Sequence, residues 1–238
     1  MIGLRGTLIL WGMNRDISTT PAAGRMASPP WVIGYVAIVL VVDTLIAHRV
    51  TIPFHWSVLH FQPYGFDVFK AVAWLIIPLC LTFRMAHWDW FGVKRWRRSD
   101  VAVLAGMAAI GALAVLLIKF VPGLRGFYPS YAGMPAQAKI DFAVFYAIWW
   151  LSWLPGWEYM HRFYLLGTVN ARWPVWGWIL VPVFEALYHL QKHPLEAAGM
   201  FAMGVVLTWW ARKRENVLLP FLAHFLVEAE LLAFQLLL

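Results

Sequence analysis

Of the chain's 238 residues 62% are hydrophobic and only 13% are charged, against roughly 25% charged in an ordinary soluble domain, so one aqueous core could not cover its apolar side chains. Sixteen Trp and sixteen Phe suit the membrane–water interfaces where aromatic rings concentrate. The net charge of +7 then reports orientation in a bilayer, and the single cysteine, Cys80, excludes an internal disulfide.

In chain order, residues 1–30 read as a mobile tail, with Ser18, Thr19, Thr20, Pro21, Pro29 and Pro30. Its apolar run Leu8–Trp11 is too short for a signal-peptide core, and no small-residue cleavage site follows it. Residues 31–238 read as one transmembrane domain. A span needs about 20 mostly apolar residues, and seven stretches qualify: 31–48, 68–86, 101–121, 140–167, 174–190, 195–211 and 217–237. Backbone groups find no water in hydrocarbon, so these must be helices. The expected fold class is an all-α membrane protein, a polytopic bundle of about seven transmembrane helices. The fifth and sixth stretches are short and separated only by Gln191–Pro194, which allows one of them to be re-entrant.

Alternate loops divide the basic residues twelve to six. Arg5, Arg15, Arg25, Arg84, Lys94, Arg95, Arg97, Arg98, Arg172, Arg212, Lys213 and Arg214 fall on the richer side, which puts the N-terminus in the cytoplasm. The segment Trp88–Arg98 interleaves tryptophans with bases and is expected along the headgroups; no nucleic acid is expected as a partner. Asp43 falls within snorkelling reach of Arg49. Trp149, Trp153 and Trp157 recur every fourth residue and read as packing against a neighbouring helix or lipid. Pro155 and Gly156 are expected to kink the fourth span. His48, His55, His60 and His87 have no ligand-like spacing, and His161 is expected to face away from its polar neighbours.

All six glutamates lie at or after position 158. Glu158, Glu185, Glu228 and Glu230 fall inside expected spans, where an ionisable group costs about 2.5–3.5 kcal/mol on insertion scales and marks a functional site by default. Residues four apart share a helix face, as do Glu158 and Arg162, Glu185 and His189, His189 and His193, and His224 and Glu228. Three helices thus carry polar stripes that can turn towards one another. Taken singly each pair could be a structural ion pair; together they supply a carboxylate, a guanidinium and two imidazoles, the parts of a general acid–base site. Measured up straight helices at 1.5 Å per residue, Glu158 would lie about 16 Å, His189 about 24 Å and His224 about 12 Å from their nearest loops, so tilt or kinking is needed to bring them level.

The segments Trp157–Gly167 (WEYMHRFYLLG), Glu185–His189 (EALYH) and His224–Glu228 (HFLVE) together resemble the CPBP (Abi) intramembrane proteases, which include the type II CAAX prenyl endopeptidases. Glu158 and Arg162 match the second Glu and the Arg of the first motif, His189 the His of the second, and His224 opens the third. The run His189–Gly204 also resembles a single-Glu bacterial branch. The resemblance covers about residues 140–235. It departs from the family at Trp157, which stands in place of the first Glu, at Glu185 in place of Phe, and at Glu228 in place of Asn.

The resemblance implies a membrane-embedded endopeptidase of a bacterial inner membrane, acting on a protein or peptide with a membrane-associated segment, with lipids as its other partners. Glu158, Arg162, His189, His224 and Glu228 are the expected catalytic residues, with Glu158 as general base or acid, His189 sharing the water and His224 polarising the carbonyl or protonating the amine. Glu228 would orient His224 or, if protonated, donate to the oxyanion. Lys192 and Glu196 are expected to contact substrate. No cofactor is expected; were zinc present, His189, His193 and His224 would be its ligands. Two other functions fit the same residues, an inactive peptide-binding member of the family and a proton-coupled carrier.

Overall fold

The computed structural model describes residues 28–47, 65–83 and 96–237. The expectations for the tail before Ser28, for Arg49, for His48, His55, His60 and His87, and for Trp88–Arg95 lie outside these residues. Among the described residues every regular element is helical.

Helix α1 (Pro29–Ala47) is followed by α2 (Val68–Thr82), α3 (Arg98–Leu117) and a single turn, α4 (Pro122–Arg125). Helix α5 runs without a break through Ala136–Tyr159, a π-helical stretch at Met160–Leu165, and Leu166–Arg172. Then come α6 (Leu180–His189), α7 (Pro194–Arg214) and α8 (Leu218–Leu237). Helix starts follow local chemistry. Asp67 accepts the Lys70 amide at 3.0 Å ahead of α2, Asp100 accepts the Arg97 amide at 2.6 Å in a capping box, and the His193 ring accepts the Leu195 amide at 3.2 Å ahead of α7. Helix α7 stops where Glu215 turns left-handed at φ 48°.

Pro155 does not break α5. The irregularity falls one turn later, in the π-helical stretch, and α2 carries a matching one at Ala71–Ile76. The π-helical stretch of α2 packs against α5 just ahead of α5's own. A Cβ on Gly156 would sit 2.9 Å from Trp74 Cβ and 3.0 Å from its carbonyl carbon, so only glycine allows this approach.

By length and composition α1, α3 and α8 are each able to cross a bilayer. The ten residues of α6 cover only about 15 Å, half of a hydrocarbon core of about 30 Å. It pairs with α7 as a hairpin. The expected span 174–190 is therefore shortened, because residues 173–179 form turns and a short 3-10 segment before α6 begins. The later start lowers His189 by about 9 Å relative to a helix from residue 174.

Two sets of loops mark the ends of the bundle. At one end Arg214 Nη2 pairs with Asp100 Oδ2 at 2.6 Å, Trp210 Nε1 donates to Asp100 Oδ1 at 2.9 Å, and Arg212 donates to the Pro174 carbonyl at 2.6 Å. Arg97, Arg98, Arg172 and Arg212–Arg214 thus share an end. At the other end Lys192 Nζ donates to Tyr128 OH at 3.0 Å, and the Tyr131 amide to the Gln235 carbonyl at 2.6 Å.

Candidate functional site

Arg162 is fully buried on the π-helical stretch of α5 and holds two carboxylates. Its Nη1 lies 2.7 Å from Glu158 Oε2, one turn earlier, and 2.8 Å from Glu185 Oε1 on α6; Nη2 donates to Glu185 Oε2 at 3.1 Å. The i,i+4 spacing of Glu158 and Arg162 carries the first contact. The second depends on α7 coming close behind α6: a Cβ on Gly204 would collide with Glu185 Oε2 and stand 3.0 Å from Pro182 Cβ. A planar fork suits this bridge between two carboxylates better than an ammonium does.

The other Glu158 oxygen accepts from His224 Nδ1 of α8 at 2.7 Å. Because Nδ1 donates to a carboxylate, a neutral His224 ring carries its lone pair on Nε2, which lies 3.9 Å from Glu228 Oε1. His189 has the same tautomer for a different reason: its Nδ1 donates to the Glu185 carbonyl at 2.8 Å, leaving Nε2 as the acceptor, 3.9 Å from Glu196 Oε1. Glu196 Oε1 also takes Lys192 Nζ at 2.7 Å.

Both rings face one cavity of about 270 Å³ lined by His189, His224, Glu228, Lys192 and Lys70 among a wall of aromatic side chains. Trp153 and Trp157, one turn apart on α5, set the two imidazoles: Trp153 meets the His224 ring edge-on at 5.7 Å, and Trp157 meets His189 at 5.7 Å and 90°. Glu158, Arg162 and Glu185 lie behind this wall, each at most 1% exposed, and do not line the cavity.

The structure thus brings Glu158, Arg162, His189, His224 and Glu228 together, with Lys192 and Glu196 beside them. Several expectations change. His224 is oriented by Glu158, which is bonded to it, and Glu228 stands on the other side of the ring. The Glu185 side chain serves Arg162, and only its backbone serves His189. His193 is turned out of the site, capping α7 and resting against Gly123. Among the described residues no three His, Cys, Asp or Glu side chains form a metal-binding group. His161 is fully buried, with Nδ1 on the Trp157 carbonyl at 2.9 Å and its ring 4.2 Å from that of Trp157. Trp153 and Trp157 pack against neighbouring helices as expected, on His224 and Trp74, and together with Trp149 they also line the cavity. Glu230 leaves the site, its Oε2 lying 2.7 Å from where a Cβ on Gly111 of α3 would stand.

Three polar lining residues, Tyr188, Lys70 and Tyr128, were not read as part of the site, and neither was Asp43 behind them. Tyr188 donates to Asp43 Oδ2 at 2.5 Å, which places Asp43 in the wall behind the cavity. Lys70 lies 3.7 Å from Asp43 and 5.1 Å from the Trp74 ring centre. Tyr128, in the loop before α5, completes the Lys192 contact; burial, then the Glu196 carboxylate, push its phenol well up, so it serves as a hydrogen-bonding group and not as an acid. The spacing Tyr188–His189 next to a buried Asp on another span was the only available signal for the first of these.

Compared with known proteins, residues 139–229 match the family model described as type II CAAX prenyl endopeptidase Rce1-like. No curated protein and no solved structure matches the chain. The matched segment contains Glu158, Arg162, Glu185, His189, Lys192, Glu196, His224 and Glu228, and leaves Asp43, Lys70 and Tyr128 outside.

Proposed function

We propose that this integral membrane protein is an intramembrane endopeptidase, a reading supported by the match of residues 139–229 to the family model described as type II CAAX prenyl endopeptidase Rce1-like. Its substrate is a protein or peptide with a membrane-associated segment, which enters the aromatic cavity and places one peptide carbonyl between His189 and His224. The observation that carries this reading is the pair of imidazoles, both held through Nδ1 and both presenting Nε2 to one cavity.

His189, neutral and fixed by the Glu185 carbonyl, takes the proton of an attacking water at Nε2. His224, in its protonated form with Glu158 as counter-ion, donates from Nε2 to the scissile carbonyl oxygen and then to the leaving amine. The Glu158–His224 contact holds the tautomer and orientation of the ring, the part a buried carboxylate plays behind a catalytic histidine. Arg162 keeps Glu158 in place, and Glu185 fixes Arg162. Glu228 borders the developing oxyanion and can donate to it when protonated. Lys192 meets the substrate at the far wall. No resident metal takes part in this scheme.

The reading is tested with purified protein in liposomes. A pool of membrane-anchored peptides, some with farnesylated C-termini, is incubated with wild type, Glu158→Gln and His224→Ala, and cleavage products are identified by mass spectrometry. Wild type should yield products that both variants lack. Equal product profiles in all three would overturn the assignment.

A further inference from the structure

Glu158 is poorly placed to hold the attacking water. One oxygen takes Arg162 at 2.7 Å, the other takes His224 at 2.7 Å, and the residue is only 1% exposed. A different carboxylate faces His189. Glu196 Oε1 stands 3.9 Å from His189 Nε2, too far for a direct hydrogen bond and at the separation where a single water bridges two groups. No direct donor contact competes for the Nε2 lone pair, because the ring proton is committed to the Glu185 carbonyl through Nδ1.

The Glu196 carboxylate is fixed for such work. Lys192 Nζ donates to Oε1 at 2.7 Å and to Tyr128 OH at 3.0 Å, so the cation bridges the first turn of α7 and the loop ahead of α5. Its second oxygen, Oε2, is buried without a hydrogen-bond partner, a state that calls for an explanation in any folded protein. The gap to His189 lies on Oε1, so a bridging water bonds that oxygen, and Oε2 leaves the carboxylate with further capacity to accept from water.

We propose that Glu196 is a catalytic residue: with His189 it holds the hydrolytic water. The inference rests on the peptidase reading above. The water oxygen bonds to the carbonyl carbon as one water proton passes to His189 Nε2, and the carbonyl π pair moves to oxygen beside His224. Collapse of the tetrahedral adduct breaks the C–N bond, the amine nitrogen taking the His224 Nε2 proton. The new carboxylic acid returns its proton to His224, and His189 gives its proton to the departing amine. Glu196 accepts a hydrogen bond from the second water proton throughout, aiming a lone pair at carbon. Its contribution is therefore expected in kcat and not in substrate binding, in contrast to the substrate-contact role read from the sequence.

The experiment uses full-length protein in liposomes with the peptide cleaved fastest by wild type. Glu196→Gln, which replaces the charged acceptor by a neutral and weaker one, should lower kcat by about 10²-fold, the order of loss for a misplaced reactant, with KM within about threefold and thermal stability near wild type. Glu196→Asp should recover part of the loss, and Lys192→Met should cost less than Glu196→Gln. Should Glu196→Gln prove unstable, the Glu196→Asp pair of constants carries the comparison. Unchanged kcat in Glu196→Gln, with Glu158→Gln inactive, would overturn the role of Glu196 and leave the peptidase reading intact. Equal losses in Lys192→Met and Glu196→Gln would also overturn it, showing that Glu196 only anchors Lys192. If wild type cleaves no peptide of the pool, the peptidase reading falls, and an experimental density map decides the rest: a water within hydrogen-bond distance of both His189 Nε2 and Glu196 Oε1 supports the cradle, and a dry gap refutes it.

Discussion

Arg162→Met removes the one cation between two buried carboxylates while keeping most of the apolar stem. In the native site Nη1 lies 2.7 Å from Glu158 and 2.8 Å from Glu185, with Nη2 3.1 Å from Glu185, and no part of the side chain reaches the surface. Deleting one partner of a buried pair costs about 3–5 kcal/mol, because the other charge is left uncompensated. That is a large part of an ordinary stability of about 5–15 kcal/mol. Arg162→Lys keeps the charge and loses the fork, so it should cost about the 1.5–3 kcal/mol of one charge-assisted hydrogen bond. Adding Glu185→Gln to Arg162→Met neutralises one stranded carboxylate and should return about 0.5–3 kcal/mol, the usual coupling between contacting residues. Unfolding in mixed detergent micelles, followed by circular dichroism and extrapolated to zero denaturant, measures all four. If Arg162→Met lies within about 0.5 kcal/mol of wild type, the carboxylates are hydrated and the closed arrangement behind the aromatic wall is wrong.

Three further outcomes follow from the same geometry. Trp157→Glu, which writes a carboxylate at the position where the family pattern has its first Glu, should not raise turnover. Trp157 is 1% exposed and packs on Trp74, His161 and Tyr188 with ring centres 5.3, 4.2 and 5.2 Å away, and losing such a ring costs about 3–5 kcal/mol; a faster, equally stable variant would contradict this. Glu228→Asn should keep or raise kcat if Glu228 donates to the oxyanion, whereas wild-type kcat in Glu228→Leu would leave it a structural residue. Peptidase activity should survive exhaustive chelation, and activity lost to chelator and restored by zinc would make His189 and His224 metal ligands.

What could be read from the sequence was what neighbouring positions decide. Glu158 and Arg162 meet because they are one turn apart, and the apolar runs give helices because hydrocarbon offers no other partner for the backbone. The Glu185–His189 spacing pointed to the right pair of residues and the wrong atoms, since a histidine inside a helix can also donate to the carbonyl four residues back, as His189 does at 2.8 Å. The Glu185–Arg162 bridge was not legible, for it joins two helices and depends on α7 pressing behind α6 where Gly204 meets Pro182. The tryptophans were read correctly as packing residues, but their place in the cavity wall was not legible, because whether a tryptophan faces lipid or a cavity depends on helix rotation. The length of α6 was overread because Trp173–Ile179 is as apolar as a span; Pro174 and Gly177 were the available signals. A Cβ on Gly177 would press on the Val169 carbonyl, which ties that turn back to α5.

The central claim is that this chain cuts other membrane proteins with the histidines held by Glu158 and Glu185. It is tested most directly by comparing the protein termini in membranes of cells that carry wild type with those carrying Glu158→Gln at equal abundance. A set of new termini at or near membrane segments, present with wild type and replaced by intact chains with Glu158→Gln, is the expected result. Identical termini in both membranes would contradict the account.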